Sequence, residues 1–236
     1  MLSFVVPAHD EEALVGRAVA AIRASAEAAG EPYEVIVVDD GSTDRTAAVA
    51  SAAGARVIAA NVRQIGAARN AGAAAARGGT LVFVDADTFI EPVHVRGVVE
   101  AMRGGAVGGG AAARFDEPIP VWARAVLRLW VWISRWCRLA AGSFFFCSKR
   151  EFEAVGGFDP SLYAAEEVAL SRALGRRGRF VVMRTPVLTS GRKARTHSGG
   201  EILRAWLGLL ARPWSVRDRN RLGIWYGPRR RDRGGR

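Results

Sequence analysis

The sequence predicts an α/β protein built on an open, mostly parallel sheet with helices on both faces. Three observations carry that prediction. The apolar run Leu81-Val82-Phe83-Val84 ends abruptly in Asp85 and Asp87, and it lacks polar alternation, as expected of a strand covered on both faces. Strand-like and helix-like segments alternate through the first half of the chain, which implies parallel strands joined by right-handed crossovers. The chain has 236 residues with 50% hydrophobic content, enough for one well-packed domain.

Taken in order, Ser3 to Pro7 reads as a strand, Glu11 to Ala29 as a helix and Tyr33 to Val38 as a strand. Thr43 to Ala53 follows as a helix after the turn DDGSTD, whose residues can cap exposed amide groups. Arg56 to Ala60 is a third strand, Ile65 to Arg77 an Ala-rich helix and Leu81 to Val84 the fourth strand. Pro92 to Met102 is expected to be helical, and the Gly-rich run Gly104 to Gly110 to form a turn into a strand at Ala111 to Phe115. Ser143 to Ser148 reads as a strand, followed by a helix from Arg150, a second from near Ala165 to Leu174, and a late strand at Phe180 to Arg184.

Ile119 to Ala140 differs in character. On a helical wheel Arg124, Arg128, Arg135 and Arg138 fall within about 80° of one another, while Trp122, Leu129, Ile133 and Trp136 gather on the other side. This pattern fits either a helix on the sheet with a solvated Arg face or one lying on a membrane surface. Arg212 to Arg236 mixes Arg, Gly, Pro and Trp without periodicity, and its last nine residues are expected to be disordered. The expected organisation is one domain over residues 1–211 and a basic tail over 212–236.

Composition narrows the classes. A net charge of +11 calls for an anionic partner, with nucleic acid, anionic lipid and phosphorylated substrates as candidates. Two cysteines, Cys137 and Cys147, lack metal-like spacing, so no zinc site is expected and a reducing compartment is. The start, MLSFVVPAHDEE, has no basic region before its short apolar run, so no signal peptide is expected. No apolar stretch reaches about 18 residues, the length of a transmembrane helix. The location expected from these features is cytoplasmic, with peripheral contact at the inner face of an anionic membrane as an extension.

Chemistry concentrates where strands end. Asp10 and Glu11 follow the first strand, Asp39 and Asp40 the second, and Asp85 and Asp87 the fourth. Ligands of open α/β sheets bind at those carboxyl ends, so three acidic strand ends point to a polar cleft. Two neighbouring carboxylates repel unless a cation sits between them, and hard oxygen ligands favour Mg²⁺ or Mn²⁺.

FVVPAHDEE, VIVVDDGSTD, NVRQIGAARNAG, LVFVDAD and GGFDPSLYAAEEVALSRAL occur in an order and spacing that resembles family 2 glycosyltransferases over roughly residues 1 to 190. The resemblance implies the GT-A fold, with residues 1–110 binding a nucleotide sugar and 111–211 shaping the acceptor site. It implies that Pro7, Ala8, Asp10 and Glu11 form the first nucleotide-contacting loop, that Asp39 contacts the base, and that Arg69 lies near the nucleotide or diphosphate. Asp85 and Asp87 match the DxD pair, with Asp87 the more direct metal ligand and Mg or Mn the cation. The general base corresponds to the Glu166-Glu167 pair, where relatives more often carry Asp second, so the choice between the two is open. Arg192 and His197 resemble the segment that closes over the diphosphate, Arg192 as a phosphate ligand and His197 as a completing metal ligand.

The implied activity is metal-dependent, inverting transfer of a sugar from a nucleotide-diphosphate donor to an acceptor hydroxyl, with a lipid-linked acceptor as one candidate. Two other classes compete. A nucleotidyltransferase would carry a Gly-rich, Lys-containing phosphate loop near the first strand, where this chain has PAHDEE. A nucleic-acid-binding protein would explain the charge but not the acids at strand ends, which repel phosphates without metal, so no specific nucleic acid is expected.

Overall fold

The structure, a computed structural model, describes residues 1–116, 124, 131–132, 136–140, 142–191, 201 and 213–223. Its elements are β1 (Leu2–Ala8), α1 (Val15–Ala29), β2 (Tyr33–Asp39), α2 (Thr46–Ala52), β3 (Arg56–Ala59), α3 (Ile65–Ala75) and β4 (Thr80–Val84). They continue as β5 (Thr88–Phe89), α4 (Pro92–Arg103), β6 (Ala106–Phe115), β7 (Phe144–Ser148), α5 (Lys149–Ala154), α6 (Glu166–Gly175) and β8 (Arg179–Thr189).

Among the described residues the strands make one eight-stranded sheet in the order β3-β2-β1-β4-β7-β6-β8-β5. β1 runs parallel to β2 and β4, β2 to β3, and β6 to β8. β7 enters antiparallel between β4 and β6, and β5 closes antiparallel on the end of β8. The mostly parallel α/β sheet read from the sequence is therefore the one observed.

Local chemistry fixes the helices. Gly30 ends α1 in the left-handed region, at φ 69°, and returns its N–H to Ala26 and Glu27 carbonyls. Gln64 caps α3 by accepting from the Ala67 N–H at 2.9 Å. Pro92 opens α4 behind a reciprocal cap between Glu91 and His94.

Side chains alternate off the strands into two cores. Phe4, Val6, Val82, Val84, Phe144 and Phe146 join Val19 and Ile22 of α1 and Val95 and Val98 of α4. On the opposite face Val5, Leu81, Phe83 and Phe145 meet Ala68 of α3, Phe152 of α5, Leu170 and Leu174 of α6, and Phe158. α3 lies unusually close to the sheet, since a Cβ at Gly72 would stand 2.3 Å from Val5 Cγ1. That approach brings the side chains of α3 up to the strand ends.

Several expectations are corrected. The run from Gly104 to Gly110 is not all turn, because β6 already starts at Ala106. Its glycines admit neighbours instead: a Cβ at Gly108 would lie 2.7 Å from the Phe146 carbonyl, one at Gly109 2.2 Å from that of Val181, and one at Gly110 2.5 Å from Ala140 Cβ. α1 begins at Val15 rather than Glu11, whose carbonyl takes the Leu14 and Val15 N–H groups in a preceding turn. β8 runs on past Arg184 to Thr189, and the two-residue β5 carried no sequence signal.

Most of the helix expected over 119–140 falls outside the described residues. Within it Arg124, Val131, Trp132, Trp136 and Cys137 are helical. Trp132 and Trp136 are 62% and 79% exposed and stack with ring centroids 5.9 Å apart. In the segment expected as a basic tail, Pro213–Arg217 and Arg219–Arg221 form short 3-10 helices. Tyr163 donates its N–H to the Val216 carbonyl at 2.7 Å and Leu222 is buried. No helix among the described residues is long and apolar enough to cross a membrane.

Candidate active site

The parallel register aligns the ends of β1, β2 and β4 on one edge of the sheet. Ala8 pairs with Asp39, and the Ala8 carbonyl accepts the Asp40 N–H at 2.8 Å, so the loops after Pro7 and Ala8 and after Asp39 rise side by side. Asp10, at φ 50°, accepts from the Thr43 N–H at 2.7 Å and the Thr43 hydroxyl at 3.2 Å. Burial works against the Asp10 charge, but the Thr43 N–H and nearby His9 outweigh it and hold its pKa below the usual value. Glu11 is buried, and its N–H donates to Thr46 Oγ1 at 2.7 Å. Asp39 accepts from the Ser42 N–H at 3.1 Å.

Asp40, which the sequence reading grouped with the cleft acids, has a scaffolding task. Its carboxylate accepts the N–H groups of Val62, Arg63 and Gln64 at 2.6, 2.7 and 3.0 Å. Asn61 and Arg63 there adopt positive φ, as Asp10 does across the cleft, a backbone state that side-chain-bearing residues adopt at a cost. Arg63 reaches back to lie 2.9 Å from His9 Nδ1. The edge over β1 and β2 is thus a strained loop cluster braced by buried acids.

Arg69 is the centre of the site. It is 2% exposed, and its guanidinium meets Asp85 at 2.9 Å, Glu167 at 2.6 Å, Glu166 at 3.4 Å and the Gly142 carbonyl at 2.9 Å. Phe158 lies under it with 5.3 Å from Arg Cζ to the ring centroid. Burial alone lowers the pKa of an arginine, but Glu167, Asp85 and Glu166 outweigh it and raise that of Arg69. Arg69 therefore gives its two Nη groups to the protein's own carboxyl groups and the Gly142 carbonyl, joining the β4 acid to the α6 acids.

The two α6 acids differ. The Glu166 side chain is 4% exposed and that of Glu167 15%. Burial first, then the neighbouring Glu167 charge, pushes the Glu166 pKa up to about 8 against the opposing pull of Arg69. Glu166 is thereby biased toward its protonated form, and Glu167 makes the short ion pair. Asn70, next to Arg69, clamps the turn before α6 by donating to the Phe158 carbonyl at 2.8 Å and accepting its N–H at 2.9 Å. Gln64 holds the same turn through the Pro160 and Leu162 carbonyls. Asn70, Gln64, Gly142 and Ser143 had been given no role from sequence; Asn70 and Gln64 lay in the quoted motif, whereas Gly142 is recognisable only from the fold.

Asp85 and Asp87 stand at the end of β4. The Asp85 N–H donates to the Ser143 carbonyl, continuing the β4–β7 ladder. Thr189 Oγ1 lies 3.4 Å from Asp87 Oδ1, and the Ser190 N–H donates to the Asp87 carbonyl at 3.0 Å. Among the described residues no group of three or more His, Cys, Asp or Glu side chains is placed to hold a metal. Asp85 and Asp87 are both partly exposed, and their hard carboxylate oxygens are of the type that would suit Mg²⁺ or Mn²⁺. Arg192 and His197 lie outside the described residues.

A polar cleft at the carboxyl ends of a sheet with helices on both faces is the plan of the GT-A glycosyltransferases, and solved members share the fold. A mannosyltransferase from Pyrobaculum calidifontis, solved with GDP-Man and Mn²⁺, is similar at TM-score 0.68 and 17% identity over 86% of this chain and 59% of that one. Glucosyl-3-phosphoglycerate synthase from Mycobacterium tuberculosis, solved with phosphoglyceric acid, gives 0.60 and 20% identity over 97% and 81%. The family model "Glycosyl transferase family 2" matches residues 3–150, more than half of the sequence, and the chain belongs to that family. Among curated proteins, validoxylamine A glucosyltransferase of Streptomyces hygroscopicus subsp. limoneus is 35% identical over 110 residues, 44% of this chain. Those residues make up 24% of the relative, so the chain matches about a quarter of its length.

Proposed function

We propose that this chain is an inverting glycosyltransferase that moves a sugar from a nucleoside-diphosphate donor to an acceptor hydroxyl, with Mg²⁺ or Mn²⁺ at Asp85 and Asp87. The observation that carries the reading is the Arg69 bracket, which joins Asp85, at the end of β4, to Glu167, at the start of α6, through one buried guanidinium. The site then has a donor side and an acceptor side held by a single group.

The donor nucleotide is assigned to the edge over β1 and β2, with Pro7, Ala8, Asp10, Glu11 and Asp39 around it. Solved neighbours bind UDP, UDP-GlcNAc and GDP-Man, which supports a nucleotide-sugar donor without choosing the base. The bound cation would supply Lewis-acid stabilisation of charge on the departing diphosphate. Glu167, the more exposed α6 acid, is assigned as general base. It takes the proton of the acceptor hydroxyl while that oxygen bonds to the anomeric carbon. The bond from that carbon to the diphosphate oxygen breaks, and its electron pair leaves with the diphosphate. Attack opposite the leaving group inverts the anomeric centre. Arg69 fixes the Glu167 carboxylate, and Glu166, protonated, adds no second negative charge beside it.

The acceptor is assigned to the lipid-linked class, presented at an anionic membrane surface. The exposed Trp132–Trp136 stack supports this, because indole rings favour the headgroup region. A groove of about 590 Å³ lined by Arg138, Arg179 and Arg184 over Phe180, Val181 and Val182 adds a cationic rim to an apolar floor.

The test is a panel of nucleotide sugars in thermal denaturation with and without Mn²⁺, since a ligand of the folded state raises Tm. One nucleotide sugar is expected to stabilise the wild type only with metal, and Asp87→Ala to lose that stabilisation. Metal-independent stabilisation would overturn the metal assignment, and no stabilisation across the panel would overturn the donor assignment as well.

A further inference from the structure

Two buried side-chain polar atoms find no hydrogen-bond partner among the described residues, Arg69 Nε and Ser143 Oγ. Folded proteins leave few such atoms, because each keeps the desolvation cost of an unmade hydrogen bond. Both fall in the cluster around the α6 acids rather than being scattered through the fold. Ser143 sits where the two sides of the site meet. Its carbonyl takes the Asp85 N–H at 3.2 Å, and the preceding Gly142 carbonyl takes Arg69 Nη2 at 2.9 Å. A Cβ on Gly142 would stand 2.2 Å from Glu167 Oε1, so the chain passes directly beside that acid.

The ladder sets the direction of the side chain. Val84 pairs with Phe144 and Asp85 continues the pairing to Ser143. Alternation along β7 then puts Ser143 on the same face as Phe145, the face that carries Ala68 of α3 and Leu170 of α6. An orphaned hydroxyl therefore stands on the α3/α6 face, between Asp85 and Glu167.

We propose that Ser143 Oγ hydrogen-bonds a hydroxyl of the transferred sugar, with Arg69 Nε as a second donor in the same cluster. The inference rests on the glycosyl-transfer reading above. In that reaction the sugar stands between the diphosphate, at Asp85 and Asp87, and the acceptor oxygen, at Glu167, which is the interval Ser143 spans. A sugar hydroxyl both donates and accepts, so it satisfies Ser143 Oγ in either sense and can accept from Arg69 Nε, which only donates. The contact belongs to the sugar and not to the nucleotide, so it makes Ser143 a specificity-determining residue.

Ser143→Ala separates this role from a structural one. Without ligand, its Tm is expected to equal or exceed that of the wild type, because an orphaned hydroxyl is removed. A fall of about 3 °C or more, roughly 1 kcal/mol for a chain of this size, would mean that the hydroxyl holds the fold and would overturn the proposal. With Mn²⁺, calorimetric titration of UDP, UDP-glucose, UDP-GlcNAc, GDP and GDP-mannose gives the second readout. The variant is expected to bind the bare nucleotide as the wild type does, and to lose about tenfold of the affinity for its nucleotide sugar, the loss of one buried hydrogen bond. Wild-type and variant proteins that gain equally from the sugar would overturn this inference alone. A wild type that binds none of the five would overturn the donor reading and this contact with it.

Discussion

On the α1/α4 face, Phe4, Val82, Phe144 and Phe146 pack against aliphatic side chains. His94, which enters it from α4, is tied down as a cap, with its ring 3.0 Å from the Glu91 N–H and 3.2 Å from the Pro186 carbonyl. The α3/α6 face is richer in rings, with Phe83, Phe145, Phe152, Phe158 and Phe180, yet it buries an arginine among three carboxyl side chains. Hydrophobic burial stabilises both faces, at about 25 cal/mol per Å². Only the second carries a charge cluster, whose desolvation offsets much of what the ion pairs contribute. The difference teaches that both sides of one sheet supply stability, while the charge cluster assigned above to the chemistry lies on one side alone.

Removing Arg69 should separate the faces most sharply. Arg69→Ala leaves Glu167 and Asp85 without their shared partner, and losing one member of a buried pair costs about 3–5 kcal/mol. On the proposed mechanism turnover should fall by roughly 10²–10³-fold once Glu167 and Asp85 lose their common anchor, as with other preorganised groups. Urea denaturation and donor turnover measured together check both numbers. Near-normal turnover in a folded Arg69→Ala protein would show that the bracket is not part of the chemistry.

The matching change on the other face is Phe4→Ala. Phe4 is fully buried and meets Tyr33 edge-on at 6.4 Å. Its loss should cost about 3–5 kcal/mol, like other large-to-small aromatic substitutions in cores. Activity per folded molecule should stay within about twofold of wild type. A large drop in kcat among folded Phe4→Ala molecules would mean that the faces are coupled more tightly than this division allows.

How much of this was legible follows the same line. β1, β2 and β4 declared themselves as apolar runs with acids after them, because strands buried on two faces have nowhere to place polar residues. The glycines of β6 misled, since a Gly run signals a turn unless one knows that Phe146, Val181 and Ala140 crowd against it. The family resemblance put Arg69 near the diphosphate. Its four partners come from β4, from α6 and from the residue before Ser143, contacts spanning up to 98 positions that no local pattern encodes. Asp40 looked like a cleft acid because its work, holding the Val62, Arg63 and Gln64 amides, is also long-range.

Glu166 gives the most selective effect, one that only a change of pH reveals. Its folded pKa is about 8 against an ordinary 4.5, raised by burial and by Glu167. Between those values the folded chain holds a proton that the unfolded chain has released. The stabilisation from that proton is complete below about pH 4.5 and is lost as pH rises through about 8. Gln keeps the shape and the neutral state but has no proton to lose, so Glu166→Gln should be close to wild type in Tm at pH 5 and rise progressively above it up to pH 8.5. A constant Tm difference between Glu166→Gln and wild type from pH 5 to 8.5 would mean that Glu166 is ionised in the fold. Arg69 would then sit among three negative charges, and the α3/α6 face would be far more strained than its opposite.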